Sequence, residues 1–293
     1  MMDKKIGEIE LSKEYSKLYR DCKFKKCIFP DQSKCSEKVI RAHSIQKNKI
    51  LNHIAENGMV VSSNMLRTLF TKEFDKIGIG SASTFFGFCN FHDSIVFSEI
   101  ENKDYVGTIE QNFLHSYRAC AIEYVKKNEA CCFFEKLIKK NKDSPFEQYF
   151  KNKLLGFQWG VKDISYVLGV LSNELVKPKY ERRHNIVSTT VKKLSYEVLF
   201  AVNASFTIEF DFEGKLINDL TDTSRVPAHI FLNIFPQNSK TYILFSCLTE
   251  NLNIYKGIIS KLNSFHDSKL ETFFSNMIIS CLLYTSPSPR DRS

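Results

Sequence analysis

The spacing of apolar positions changes several times along this chain, and the changes mark out its elements. In residues 46–56, Ile50, Leu51 and Ile54 share one face at helical spacing, and Gly58 supplies a stop before Met59-Val60-Val61. That pattern predicts a short helix and then the start of a strand. Residues 84–88 are short and aromatic and follow Gly78 and Gly80, which predicts another strand, with a helix after it over about 90–101.

From 102 to 180 the period is helical. Phe113, Tyr117, Cys120, Ala121 and Tyr124 recur on one face of residues 111–127, and the pattern continues through 130–140 and 145–171. Asn141-Lys142-Asp143-Ser144 interrupts it, and Pro178 within the charged stretch 177–183 ends it. After Ser205 the period falls to two. Phe206, Ile208, Phe210 and Phe212 alternate with Thr207, Glu209 and Asp211, which predicts a half-buried strand. Residues 229–235 and 242–246 flank the turn-rich Pro236-Gln237-Asn238-Ser239-Lys240 and read as a hairpin, with helices expected near 255–265 and 270–280. Strands clustered late in the chain predict an α+β fold with antiparallel pairing. The expected regions are a cysteine-bearing module at 1–101, a helical region at 102–182 and an α+β region at 183–280. No internal repeat is present.

Composition narrows the class. The 293 residues are 43% hydrophobic and 25% charged, as in ordinary globular domains. No apolar run approaches the ~20 residues that a spanning helix needs. The start, Met1-Met2-Asp3-Lys4-Lys5, leads into charged sequence without an apolar leader core. The expectation is a cytoplasmic protein with no membrane partner. Nine cysteines, odd in number and unevenly spaced, read as reduced thiols in place of a disulfide framework. A formal charge of +8 suits a polyanionic partner without requiring one. Residues 281–293 resemble the in-frame translation of a sequencing-library adapter and are set apart as a non-native tail. The natural chain is expected to have continued beyond them.

The candidate chemistry lies in the first third. Cys27-x7-Cys35 and Cys89-x2-His92 are two separated pairs of soft ligands, which is what a tetrahedral structural zinc site uses. Ligands three apart at a helix start face the same way, so Cys89 and His92 fit the opening of the helix expected at 90–101. Cys22 is a spare that could replace Cys27. Unrelated buried cysteines are the plainer alternative, but Lys23, Lys25, Lys26, Lys34 and Lys38 around them make a poor core.

The order of Cys27 and Cys35, then Ala42-His43-Ser44-Ile45 closing a strand, then Phe88-Cys89-Asn90-Phe91-His92-Asp93 opening a helix, resembles the zinc-braced HNH, or ββα-metal, endonuclease superfamily. The resemblance covers about a third of the chain. It implies a ββα-like module in which His43 is the general base, Asp93 holds a catalytic Mg²⁺ or Mn²⁺, and Cys27, Cys35, Cys89 and His92 hold a structural zinc. Asn57 is the candidate for the asparagine that orients the histidine. The family includes enzymes that cut foreign DNA in microbial defence. Two departures are visible. Ala42 stands where many members carry an acidic or histidine metal ligand, and the interval from His43 to Cys89 is longer than usual.

Other segments add less. Lys23-Phe24-Lys25-Lys26, beside the ligand pairs, could contact phosphates, as could the run 177–183 followed by His184, with Tyr180 available for stacking. Phe85, Phe86 and Phe88 read as core. Residues 78–83 lack a phosphate-loop ending and read as a turn. Two functions follow as expectations: a metal-dependent endonuclease acting on DNA or another nucleic acid, or a non-catalytic zinc-stabilised adaptor for nucleic acid or protein. In either case the C-terminal region is a candidate for recognising a protein partner.

Overall fold

A computed structural model describes residues 13–36, 38–62, 75–178, 181–182 and 184–278. The adapter-like tail, and Lys179, Tyr180 and Arg183 of the basic run, lie outside the described residues.

The N-terminal module begins with a helix over residues 13–20 (α1) and carries two small antiparallel pairs. Ala42–His43 (β1) pairs with Thr84–Phe85 (β4), placing His43 opposite Thr84. Met59–Ser62 (β2) pairs with Asp75–Gly78 (β3). Between β1 and β2 the expected short helix is a π-type turn, Lys47–Leu51, running into one α-turn, Asn52–Ile54. Residues 86–88 of the expected second strand lie outside the ladder, and Asn90–Glu101 follows as α2.

Two long helices form the middle. Ile109–Lys140 (α3) starts at Thr108, whose hydroxyl accepts from the Gln111 N–H at 3.1 Å, and ends with Lys139 and Lys140 at its negative pole. The predicted break at 141–144 is a turn, after which Glu147–Leu175 (α4) packs along α3.

The C-terminal region is a four-stranded antiparallel sheet of Val187–Leu194 (β5), Val202–Phe206 (β6), Ile230–Gln237 (β7) and Lys240–Leu248 (β8), in the order β5-β8-β7-β6. The predicted hairpin is β7–β8, closed by Asn238 and Ser239 at φ 54° and 61°, the left-handed pair that a two-residue hairpin turn requires. Leu252–Ser264 (α5) and Asp267–Met277 (α6) cover one face of the sheet over Ile230, Leu232, Ile234, Ile243 and Phe245. Phe231, Leu248 and Val187 join the other core, shared with α3, α4 and the module's Phe85, Phe88 and Phe97. With both faces covered, β7 is buried along nearly its whole length, which explains its unbroken apolar run apart from Asn233.

One predicted strand is corrected. β6 ends at Phe206, and the alternation from 206 to 212 is not a strand. Asp211 accepts from the N–H groups of Glu213 and Lys215, both at 2.9 Å, and Gly214 takes φ 76°, so the chain turns back on itself. Ile208 and Phe212 still pack against the core under α5 and α6, while Phe210 is 50% exposed and makes only an isolated antiparallel bridge to Leu216 across the turn. β5 was not anticipated, because Val-Ser-Thr-Thr-Val-Lys-Lys-Leu alternates poorly, and it lies at the sheet edge beside β8.

Candidate metal centre and its surroundings

The fold brings the two ligand pairs together through backbone pairing at the root of the module. The Ile28 N–H donates to the Gly87 carbonyl at 2.9 Å, the Ile40 N–H donates to the Phe88 carbonyl at 2.9 Å, and Val39 bridges Cys89. Gly87 is required for this approach, since a Cβ there would lie 2.7 Å from the Phe85 ring and 3.2 Å from Val125. Cys35 is delivered by a short 3₁₀ turn, Gln32–Lys34, capped by Asp31, which accepts from the Ser33 N–H at 2.9 Å. Cys89 is the N-cap of α2, and His92 lies on its first turn.

Cys27, Cys35, Cys89 and His92 form one cluster, their ligand atoms all within 4.8 Å of one another. His92 Nδ1 lies 3.5 Å from the Cys27 sulfur, 3.4 Å from that of Cys35 and 3.3 Å from that of Cys89. Tetrahedral Zn–S and Zn–N bonds of ~2.3 and ~2.05 Å give an S···N edge of about 3.6 Å. The spacing therefore matches four donors around one ion, and three thiolates with one imidazole are a set that Zn²⁺ favours. The His92 ring is 1% exposed and stacks on Phe29 at 4.2 Å, which fixes the face it presents.

The thiols do not titrate alike. Burial raises the Cys89 thiol, but hydrogen bonds from the His92 N–H and from Ser36 outweigh it and bring the group down to about 6. Loss of water, followed by the neighbouring Cys27 and Cys89 sulfurs, pushes Cys35 up to about 12. A bound cation would offset the repulsion between neighbouring sulfurs and favour their thiolate forms.

Cys22 is not a member. Its sulfur lies 2.6 Å from that of Cys132 on α3, in a separate apolar bed, so Cys27 is the one that belongs to the cluster.

His43 projects from β1 and is half-buried. Its Nε2 lies 3.2 Å from the carbonyl oxygen of Ile79. A carbonyl can only accept, so Nε2 carries the proton and Nδ1 keeps its lone pair. Burial holds the imidazole below the usual histidine value, with Lys47 and Arg118 adding to that effect and the Ile79 carbonyl and Glu101 opposing it. Asp93, in the first turn of α2, is raised by burial, with Arg118 pulling it back and Glu101 adding to the rise. No hydrogen bond joins His43 to Asp93 among the described residues. The two share the field of the same ion pair, Arg118–Glu101, at 2.6 Å.

No hydrogen bond joins Asn57 to His43 among the described residues. Asn57 is an exposed turn residue at φ 51°, next to Gly58 at φ 72°, closing the reciprocal Glu56–Met59 pair of backbone hydrogen bonds. Asparagine is suited to that left-handed position by its own chemistry. His43 donates instead to Ile79, in the turn at 79–83. The same turn clamps the strand end, as Ser83 Oγ contacts Ser44 Oγ at 2.6 Å and accepts from the Ile45 N–H at 2.9 Å.

Arg118 was not singled out in the sequence. It is 3% exposed, its guanidinium lies 4.2 Å over the Phe97 ring, and it pairs with Glu101, whose carbonyl accepts from Gln46. A lone arginine within Tyr117-Arg118-Ala119-Cys120-Ala121, on a core-facing helix, was the available signal. Of the three phenylalanines that read as core, Phe85 and Phe88 are buried and Phe86 is half-buried beneath Arg41. In the basic run 177–183, Lys177 pairs with Glu174 at 2.6 Å and Arg182 Nε donates to the Lys177 carbonyl at 2.8 Å. No described helix is long and apolar enough to cross a membrane. Compared with known proteins, the chain matches no protein-family model, no curated protein and no solved structure.

Proposed function

We propose that the N-terminal module is a zinc-braced, HNH-like endonuclease that hydrolyses phosphodiester bonds in DNA or another nucleic acid. The observation that carries this reading is the arrangement of β1, β4 and α2 hung on the Cys27–Cys35–Cys89–His92 cluster. It sets His43 on the strand, with Asp93 one residue beyond a ligand on the helix. The zinc is structural and holds strand and helix in register.

His43 has the properties of a general base. It is neutral at pH 7, it is fixed by a carbonyl on Nε2, and Nδ1 remains to accept a proton from water. Asp93 is the carboxylate placed to hold Mg²⁺ or Mn²⁺, and such an ion would supply charge relief at the phosphate. Arg118 partly offsets the burial that raises Asp93. Lys25, Lys26, Lys34, Lys38 and Arg41 are exposed around the cluster and suit a phosphate backbone. Plasmid cleavage in Mg²⁺ or Mn²⁺ by wild type and by His43→Ala tests the reading. Equal cleavage by both would defeat it.

A second reading, a non-catalytic zinc-stabilised adaptor, is favoured by Ala42. It is 2% exposed in the shared core and supplies no second ligand beside Asp93. Nucleic-acid binding that falls steeply with salt, without turnover, would select it.

A further inference from the structure

We propose that Cys22 and Cys132 are a redox modification site, a thiol pair that closes reversibly into a disulfide on the seam between the N-terminal segment and α3. The inference is independent of nuclease activity. The two sulfurs are 110 residues apart in sequence yet 2.6 Å apart in space, closer than non-bonded contact. Both are free thiols in the structure.

The pairing is held in place by its surroundings. Glu129, one helical turn before Cys132 on the same face of α3, accepts from the Tyr19 hydroxyl at 3.2 Å, the Lys23 ammonium at 2.9 Å and the Phe24 N–H at 3.0 Å. These contacts pin the chain on both sides of Cys22. Tyr15, Leu18 and Tyr19 pack with Ala130, Phe133, Phe134 and Leu137 around the sulfurs. Cys22 is 5% exposed, whereas Cys132 is partly open to solvent and can meet a small oxidant. Lys136, one turn beyond Cys132, lies beside Cys22 and favours its thiolate, although burial pushes that thiol up to about 12.

With a small-molecule disulfide as oxidant the step balances. The Cys132 thiolate attacks one sulfur and expels a thiolate. Cys22, losing its proton to water or to the departing thiolate, then attacks the Cys132 sulfur and expels the second thiolate. The two protein thiols lose two hydrogens and the oxidant becomes two thiols. The resulting loop runs from Cys22 to Cys132 and encloses all four residues of the metal cluster, so oxidation ties both flanks of that cluster to one point. Few disulfides in reducing compartments are permanent, and a reversible pair is the type expected there.

The test treats the protein as purified with oxidised glutathione and maps non-reduced peptides by mass spectrometry, with metal content followed alongside. The expected result is one dominant cross-link, Cys22 to Cys132, two hydrogens lighter than the reduced peptides, with metal retained and reversal by dithiothreitol. Cys132→Ser should abolish the link and Cys131→Ser should leave it intact. Three wild-type outcomes would overturn the proposal: no link, a link through Cys131, or links among Cys27, Cys35 and Cys89 with loss of metal. Because the wild-type map decides, misfolding of a variant does not shelter the idea.

Discussion

The carbonyl oxygen of Ile79 accepts from Nε2 of His43 at 3.2 Å, and that contact gives the imidazole its tautomer. Because the donor to the carbonyl is Nε2–H, the basic nitrogen is Nδ1, and the ring cannot swing without losing the bond. If His43 is the base, His43→Ala lowers cleavage by about 10²–10⁴-fold in single-turnover assays while leaving zinc content unchanged.

Asn57 separates the structural from the chemical account of the module. At φ 51° an alanine is strained where asparagine is tolerated, so Asn57→Ala costs about 1 kcal/mol of stability. Asn57→Gly should be close to neutral. Both should cleave at the wild-type rate, since His43 donates to Ile79 and not to Asn57. A drop in rate without a drop in stability would return the orienting role to Asn57.

The metal cluster should govern folding of the N-terminal module. Stripping the ion with a strong chelator, or replacing Cys35 with Ser, should release the 27–35 segment from α2, because apparent zinc-binding energies of about 10–16 kcal/mol in small sites are folding energy. Hydrogen exchange at the Ile28 and Ile40 amides, which donate to Gly87 and Phe88, reads this directly. Protection that persists in metal-free protein would contradict it.

Acid should destabilise the fold through histidines that packing holds neutral. His115 stacks on Phe235 at 5.2 Å, and burial, with Arg118 adding, holds it down at about 3, below the ordinary value of 6.5. In the folded state it stays neutral where the unfolded chain takes up a proton. Its contribution is therefore complete above pH 6.5 and is lost as pH falls from 6.5 towards 3, by at most about 1.4 kcal/mol per unit. His43 and His184 are also lowered and add in the same sense. Urea midpoints between pH 7 and 4.5 should fall, and His115→Gln should flatten the slope.

Arg118 should act on both stability and the candidate site. Arg118→Met removes the pair with Glu101 and the stack on Phe97, at a cost of about 2 kcal/mol, allowing for a Glu101 side chain that is 33% exposed. It also removes the charge that opposes the burial of Asp93, so any Mg²⁺-dependent cleavage should need more Mg²⁺ near neutral pH. An unchanged Mg²⁺ requirement in a folded variant would separate Arg118 from Asp93.

The ligand set was legible because thiol and imidazole are rare, soft donors whose spacing survives as sequence. The long helices, the break at 141–144 and the β7–β8 hairpin were legible for a similar reason, since period and turn residues are local properties. The alternation at 206–212 was misleading because a period of two does not impose ladder pairing, and Asp211 and Gly214 turn the backbone away while Ile208 and Phe212 still reach the core. The partner of His43 was illegible in principle, since a backbone carbonyl carries no residue identity. Arg118 and Cys132 were hidden because each lies on α3, far in sequence from Glu101 and Cys22.

By itself the sequence determined which residues could bind a soft metal and where the long helices and the β7–β8 hairpin would form, because side-chain chemistry and periodicity act over a few residues. Tertiary structure alone decided that Cys27 and not Cys22 joins the cluster, that Ile79 accepts from His43, and that His43 and Asp93 answer to one Arg118–Glu101 pair. Those outcomes depend on which distant segments the shared core of α3, α4 and the sheet presses together, and burial and charge act through space without regard to order along the chain.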